Sequence, residues 1–467
     1  MEKLSEKLPN DYIVKMKNSL KDDFSKYLNA IDETPVRGVR VNTKRIAVQD
    51  FLKNSEIGQN FSQIKYADDG FVFDDEEKCG NSIEHLTGQI YFQEPSSMVP
   101  VCASGIEKEN RPLKILDLCA APGGKTGQIV SRVSEDSIVF SNEIIRTRAE
   151  ILQSNVERLG LKNVVILNEE PKNLLKFEGF FDYVFVDAPC SGEGMFRKNP
   201  ETINEWSEEN VCKCAERQRE ILKIAEKLVC EGGKLVYSTC TFNEKEDEEI
   251  VDWFLDKFNF ELVDVPEEIK QSTVSSNIVH EHKDYARKFL PYAGNGEGQF
   301  VAVFENLDEF RKTTLFSKKH YRSISQIGQS ENRLFKEFAS ASLTIEFSWR
   351  DLYRVGDAIY LAPEMFDNEM QTALEDLKFL SVGVKLGMIE KGRFEPSHTI
   401  FMTIPELFKH KVELSKEELK KYMHGEELIT DIKDKAYGVV TVNGFAVGGV
   451  KITQGKLKNL YPRGLRI

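Results

Sequence analysis

The sequence predicts an α/β protein built on a doubly wound parallel sheet with helices on both faces. Three observations predict it. Between about residues 113 and 305, short apolar β-rich runs alternate with helical stretches. The first run leads into Cys119-Ala120-Ala121-Pro122-Gly123-Gly124-Lys125-Thr126, a glycine-bearing turn that opens a helix. Two later runs are each followed by a cysteine, Cys190 and Cys240. Both would sit at the carboxyl edge of the sheet, where ligands and chemistry gather in such folds.

The elements follow in order. Residues 1 to about 30 read as helical and Val36 to Asn42 as a strand, opening an α+β segment that reaches about residue 90. The expected sheet strands are Lys114 to Leu118, Ser137 to Ser141, Asn163 to Leu167, Tyr183 to Val186, Lys234 to Tyr237 and Phe300 to Phe304. Arg146 to Leu159 and Glu209 to Cys230 are expected helices. Asn243-Glu244-Lys245-Glu246 has the shape of a capping box for the next helix, which would fix the loop behind Cys240. From about 331 to 405 the pattern is mixed α/β, and from Tyr437 onward it reads as a small β-rich module. The expected divisions are 1–105, 106–306, a basic linker 307–330, 331–408 and 409–467, without internal repeats.

At 467 residues, about three domains are expected. Apolar content of 40% suffices for real cores, and no run approaches the ~20 apolar residues of a membrane span. The charged start, Met1-Glu2-Lys3-Leu4-Ser5-Glu6, lacks the apolar core of a signal peptide, so a soluble, cytoplasmic protein is expected. Eight cysteines without a pairing pattern fit a reducing compartment. A helix would splay the thiols of Cys212 and Cys214, and the seven histidines do not cluster, so no metal site is expected. A net charge of −13 argues against indiscriminate nucleic-acid binding. Two stretches qualify that. Residues 311–330 carry Arg311, Lys312, Lys318, Lys319 and Arg322 without an acid, and 435–467 carry six basic residues without one. Interleaved glycines and aromatics mark the second stretch as folded.

The glycine turn matches neither a phosphate-binding loop nor a Gly-x-Gly-x-x-Gly fingerprint. The second strand ends in Glu143, about 20 residues beyond the turn, where an acid can hold a ribose diol. The third ends at Asn168-Glu169-Glu170, where an adenine would be met. Turn, acid and polar cap on successive strands describe a nucleoside cofactor lying across the sheet edge.

Asp117 to Thr126 resembles the first motif of the RNA (cytosine-5)-methyltransferases of the Nol1/Nop2/Sun family. The resemblance implies a Rossmann-like class I methyltransferase domain that uses S-adenosyl-L-methionine. The implied cofactor contacts are Cys119, Ala120, Ala121, Pro122, Gly123, Gly124, Lys125, Glu143, Asn168, Glu170 and Asp187, with Glu170 preferred over the adjacent Glu169. By the family's pattern Cys240 is the nucleophile and Cys190 assists adduct breakdown. Asp187 contacts the cytosine edge and Lys125 orients the reacting groups. The chemistry needs such parts. C5 of cytosine is a poor nucleophile until a thiolate adds at C6, giving an enamine-like intermediate that can attack a sulfonium methyl group. A base must then remove the C5 proton. Pro189 stiffens the Cys190 loop, while Gly192 and Gly194 are expected to make room for the nucleotide. Cys79, Cys102, Cys212, Cys214 and Cys230 are expected to be structural.

A target base inside a helix cannot be reached, so it must be unpaired or flipped out. Arg37 to Asn42 and Gly88 to Met98 resemble the family's N-terminal segment and its lead-in, and are candidate RNA contacts. Gly392 to His398 and Gly444 to Arg466 resemble the extension of the bacterial RsmF group, which ends in a PUA-like RNA-binding module. This implies 5-methylcytosine formation in small-subunit (16S) rRNA by a monomeric chain without a metal. One departure is Tyr292, where the family usually has His after Pro291. Two alternatives stay open: a tRNA (cytosine-C5)-methyltransferase, and a non-catalytic RNA-binding ribosome-assembly factor. The second would not need both cysteines, Asp187 and the glycine turn.

Overall fold

The computed structural model describes residues 3–73, 80, 82–276, 278, 283–294, 296–309 and 324–466. Cys79 and the linker cations Arg311, Lys312, Lys318, Lys319 and Arg322 lie outside the described residues.

Five parallel strands carry the central sheet: β1 (Lys114–Asp117), β2 (Ile138–Asn142), β3 (Val164–Leu167), β4 (Phe181–Asp187) and β5 (Val229–Thr239). Their spatial order is β3-β2-β1-β4-β5, and β6 (Gln299–Asn306) runs antiparallel beside β5. The order reverses between β1 and β4, which places a switch point at their carboxyl ends. Every residue of β2 and β3 is buried, the consequence of helices covering both faces. Those helices include α1 (Gly124–Arg132), α2 (Arg146–Leu159), α3 (Glu208–Leu228) and α4 (Glu248–Lys257). One face packs Phe140, Phe181, Leu222 and Phe254 into a core, and the other packs Ile115, Ile129, Leu152 and Val236.

The expected capping box does not form. The N-cap of α4 is Asp247, with no side-chain cap bond. The Glu246 carboxylate is drawn away to the backbone of Ser191 and to Gln218. It therefore braces the Cys190 loop instead of the start of its own helix.

The far edge of the sheet holds a further strand, β7 (Phe379–Val382), antiparallel to β3 and supplied by the C-terminal region. It satisfies backbone groups that an edge strand would leave unpaired. Lys378 N donates to Glu169 Oε1 at 2.8 Å, and Asn168 N donates to Lys378 O at 2.9 Å.

The N-terminal region forms a four-stranded antiparallel sheet. Within it, Arg40 and Asn42 do not face RNA. Arg40 is buried against Gln93, Asp69 and Ser131, and Asn42 donates to the carbonyls of Gly88 and Leu159. Both are braces to the central domain. The C-terminal region holds two five-stranded sheets. The last contains Ala436–Val442, Phe445–Thr453 and Lys456–Asn459, so the basic tail is folded. Among the described residues no helix is long and apolar enough to cross a membrane.

Candidate active site

Parallel pairing of β4 with β5 sets Asp187 opposite Ser238. Cys190 and Cys240 follow three and two residues later, and their sulfurs lie 3.3 Å apart. The hydrogen bond to Cys240, reinforced by burial, pushes the Cys190 thiol well above its ordinary pKa. Lys125, in the first turn of α1, places Nζ 2.8 Å from Asp187 Oδ2. Asp187 Oδ1 accepts from Ser238 Oγ at 2.8 Å and from Gln299 Nε2 at 3.1 Å. Burial opposes the Lys125 charge, but Asp187 outweighs it and raises the Lys125 pKa. Beneath them Asp117 is buried, accepts from Thr126 Oγ1 at 2.7 Å, and is pushed up to about 7 by burial.

A cavity of about 260 Å³ opens over these groups. Cys119, Ala120, Ala121, Pro122, Gly124, Lys125, Asp187 and Cys240 line it, while Cys190 lies behind Cys240 and does not. Gln93 and Glu94 bring the lead-in segment to its wall, and Gln299 closes another side. A Cβ on Gly124 would stand 3.1 Å from the Tyr91 ring, so the turn is cut close for backbone to approach a ligand. Gly123 takes φ +111° at the N-cap of α1 and packs against Leu152 rather than lining the cavity.

The acid and cap residues sit at the ends of β2 and β3, away from this cavity lining. Glu143 is buried, accepting from Ile145 N at 2.9 Å with Arg148 Nη1 at 3.3 Å. Asn168 Nδ2 donates to the carbonyls of Glu143 and Ile144. Glu169 is occupied by Lys378 N and by Asn173. Glu170 is exposed and ion-paired with Lys172. The residues present suit an adenosyl group: close-approach glycine, strand-end carboxylate and an exposed acid on the next strand.

Several contributors escape a sequence reading. Ser238 and Gln299 orient Asp187, and Arg148 spans from Glu143 to the carbonyl of Ala121. Glu246 and Gln218 grip the Cys190 loop. Ser238, Gln299 and Glu246 lie in short motifs, Ser-Thr-Cys, Gly296 to Phe300 and Asn243 to Glu246, but none of these motifs shows the contact that is made. The others require the register of distant segments.

Gly194 does not make room for a nucleotide. Its N–H donates to Cys240 O at 2.8 Å, and a Cβ there would meet that oxygen at 2.9 Å. The missing side chain lets the two cysteine loops touch. Tyr292 donates to Asp23 Oδ2 at 3.3 Å and packs against the N-terminal helices. Cys102 and Cys214 are buried, Cys230 is half-buried and Cys212 is exposed. Among the described residues no three potential ligands gather for a metal. A larger cleft of about 600 Å³, beside Arg45, Lys162 and Glu364, contains none of the expected site residues.

Comparison with known proteins agrees with this geometry. Residues 106–305 match the family described as 16S rRNA methyltransferase RsmB/F. Residues 8–95 match the N-terminal domain of 16S rRNA methyltransferase RsmF, 337–404 its first C-terminal domain, and 409–467 its PUA domain. The chain is 30% identical to ribosomal RNA small subunit methyltransferase F of Psychromonas ingrahamii, covering 98% of this chain and 97% of that one. It is 29% identical to the Escherichia coli protein of the same name, over 98% and 96% of the two chains. A methyltransferase homolog from Pyrococcus horikoshii superposes with a TM-score of 0.57 at 26% identity, over 65% of this chain and 99% of that one. NSun6 from the same organism, solved with the S-adenosylmethionine analogue SFG, shares the fold at 19% identity and a TM-score of 0.55, over 65% and 100% of the chains. With a switch-point cavity, a close-approach glycine turn and all four parts of the chain matched, this protein belongs to the RsmF family of S-adenosylmethionine-dependent rRNA methyltransferases.

Proposed function

We propose that the chain forms 5-methylcytosine in 16S rRNA through a covalent adduct between Cys240 and C6 of the target cytosine. The observation that carries this reading is the pair of thiols 3.3 Å apart, of which only Cys240 lines the cavity beside Lys125 and Asp187. S-adenosylmethionine, held by the Cys119-to-Lys125 turn with Glu143, Asn168 and Glu170 toward the nucleoside, supplies an electrophilic methyl group. Cys240 is the sulfur that can meet a base entering the cavity.

The protein's own residues divide the remaining work. Asp187, oriented by Ser238, Gln299 and Lys125, accepts from the cytosine N4 amino group and polarises the ring toward addition. The high pKa of Cys190 keeps it a thiol, able to donate to the Cys240 sulfur before attack. Once Cys240 is bonded to C6 it no longer bears charge or accepts that hydrogen bond. The first cause raising the Cys190 pKa then disappears, while burial and Glu246 still act. Cys190 releases its own proton to solvent, and as a thiolate takes the C5 proton while the C6–S bond breaks and Cys240 leaves as a thiolate. The family descriptions support 16S rRNA as the substrate, the relatives' names support small-subunit ribosomal RNA, and the PUA match supports RNA binding by residues 409–467.

The test is bisulfite sequencing of 16S rRNA and tRNA from cells with and without the gene, combined with Cys240→Ala and Cys190→Ala. A 16S cytosine should lose its mark in the deletion. Cys240→Ala should not restore it, and Cys190→Ala should trap RNA on the protein through denaturing gels. An adduct that survives Cys240→Ala would overturn the assignment of roles, and loss confined to tRNA would overturn the substrate.

A further inference from the structure

Glu246 is fully buried, yet no Lys or Arg pairs with it among the described residues. Its Oε2 accepts from Ser191 N at 3.0 Å and from Gln218 Nε2 at 2.8 Å. The same Gln218 amide reaches Pro189 O at 3.1 Å. The two side chains therefore hold the backbone on either side of Cys190. Glu246 is itself anchored, because Tyr237 donates its hydroxyl to the Glu246 carbonyl at 2.6 Å. Its second oxygen, Oε1, has no hydrogen-bond partner among the described residues. Burying a carboxyl so poorly compensated is unfavourable. An apolar residue would serve packing better, so the group is placed for what it grips.

We infer that Glu246, acting with Gln218, is a positioning residue for Cys190 and serves release of the RNA adduct rather than methyl transfer. This rests on the reading in which Cys240 forms the adduct and Cys190 helps release it. The two cysteines are anchored differently. Cys240 follows directly from β5, and its carbonyl is held by Gly194 N. Cys190 sits between Pro189 and Ser191, and both neighbours are tied to the clamp. Losing the clamp should move one sulfur and leave the other. A remaining bond between the hydroxyls of Ser191 and Thr241, at 2.9 Å, should keep the loops in contact, so the effect is graded.

The full-length chain carrying Glu246→Ala is assayed with labelled S-adenosylmethionine on small-subunit RNA from a strain lacking the gene. Single-turnover methyl transfer should stay within about threefold of wild type, while steady-state turnover falls about tenfold or more, because a misplacement near 1 Å can cost ~100-fold at the affected step. The missing turnover should appear as RNA covalently bound on denaturing gels. Glu246→Gln keeps a side-chain oxygen for both donors and should rescue turnover. Gln218→Ala should show the same split more weakly, and it decides the matter where Glu246→Ala does not fold. A purely structural role would instead lower single-turnover and steady-state rates together without an adduct, and that result overturns the inference. Cys190→Ala is the control. If it traps RNA and neither clamp variant does, only the clamp fails. If it traps none, the underlying assignment of Cys190 fails.

Discussion

Lys125 Nζ stands 2.8 Å from Asp187 Oδ2, joining the helix after the glycine turn to the end of β4 inside one cavity. The pair crosses the switch point of the sheet, and in the proposed mechanism it links the cofactor side of the site to the base side. Asp187→Asn would present an amide N–H to Lys125 or to the donors on the opposite oxygen, and would lose its purely accepting edge. It is expected to lower kcat/KM by about 100-fold or more, the usual scale for a group that polarises the reacting ring. Near-wild-type turnover would show that Asp187 does not read the base.

Gln299 offers a narrower test. Its Nε2 donates to Asp187 Oδ1 at 3.1 Å from the start of β6, while Ser238 holds the same oxygen at 2.8 Å. Gln299→Leu removes one of these donors and leaves Lys125 in place. A hydrogen bond to a charged acceptor is worth about 1.5–3 kcal/mol, so kcat should fall by roughly 10- to 100-fold. Binding of S-adenosylmethionine, followed by calorimetry, should hardly change. A selective loss of cofactor affinity would place Gln299 on the wrong side of the site.

The two adjacent glutamates after β3 should separate cleanly. Glu169 is buried and accepts from Lys378 N and Asn173 Nδ2, so Glu169→Ala leaves two donors unpaired at the seam with β7. A loss of about 1–3 kcal/mol in stability is expected in thermal or urea unfolding. Glu170 is exposed beside Lys172, so Glu170→Ala should leave stability unchanged and weaken cofactor binding. If Glu170→Ala binds S-adenosylmethionine as wild type does, the exposed acid is not a contact.

The legible and illegible parts of this protein divide along local and non-local structure. The run Tyr183 to Val186 and the loop Asp187 to Gly194 are contiguous, and apolar periodicity reveals both. The same holds for the glycine turn and for Ser238 to Cys240. Glu246 is legible from sequence only as part of a helix start, because the local pattern of Asn243 to Glu246 is a good cap. Tertiary structure overrode it once Ser191 N and Gln218 came within reach. Arg40 reads as a candidate RNA contact because Arg37 to Asn42 resembles the family's N-terminal segment, yet it is buried between Gln93, Asp69 and Ser131. Strand β7 could not be assigned to the central sheet at all. Its partner β3 ends at Leu167, far earlier in the chain than Phe379, and no local rule selects such a pairing.

His398 should make stability fall on the acid side. Its ring packs edge-on to Tyr461 at 5.8 Å, Nδ1 has no hydrogen-bond partner among the described residues, and burial pushes its pKa down to about 4. The unfolded chain should bind the proton near pH ~6.5, the ordinary value for histidine. Because the folded value is lower, the unfolded state takes up the proton first as pH falls. Stability is therefore undiminished above about pH 6.5, declines through the interval, and has lost its full share near pH ~4. A shift of this size corresponds to about 3 kcal/mol at most. His398→Gln cannot titrate, so its unfolding free energy should drop less than that of wild type between about pH 7.5 and about pH 5. Urea unfolding at the two pH values measures the difference. Parallel losses in both proteins would mean that His398 is protonated as readily in the fold as out of it, and that the acid sensitivity lies with other groups.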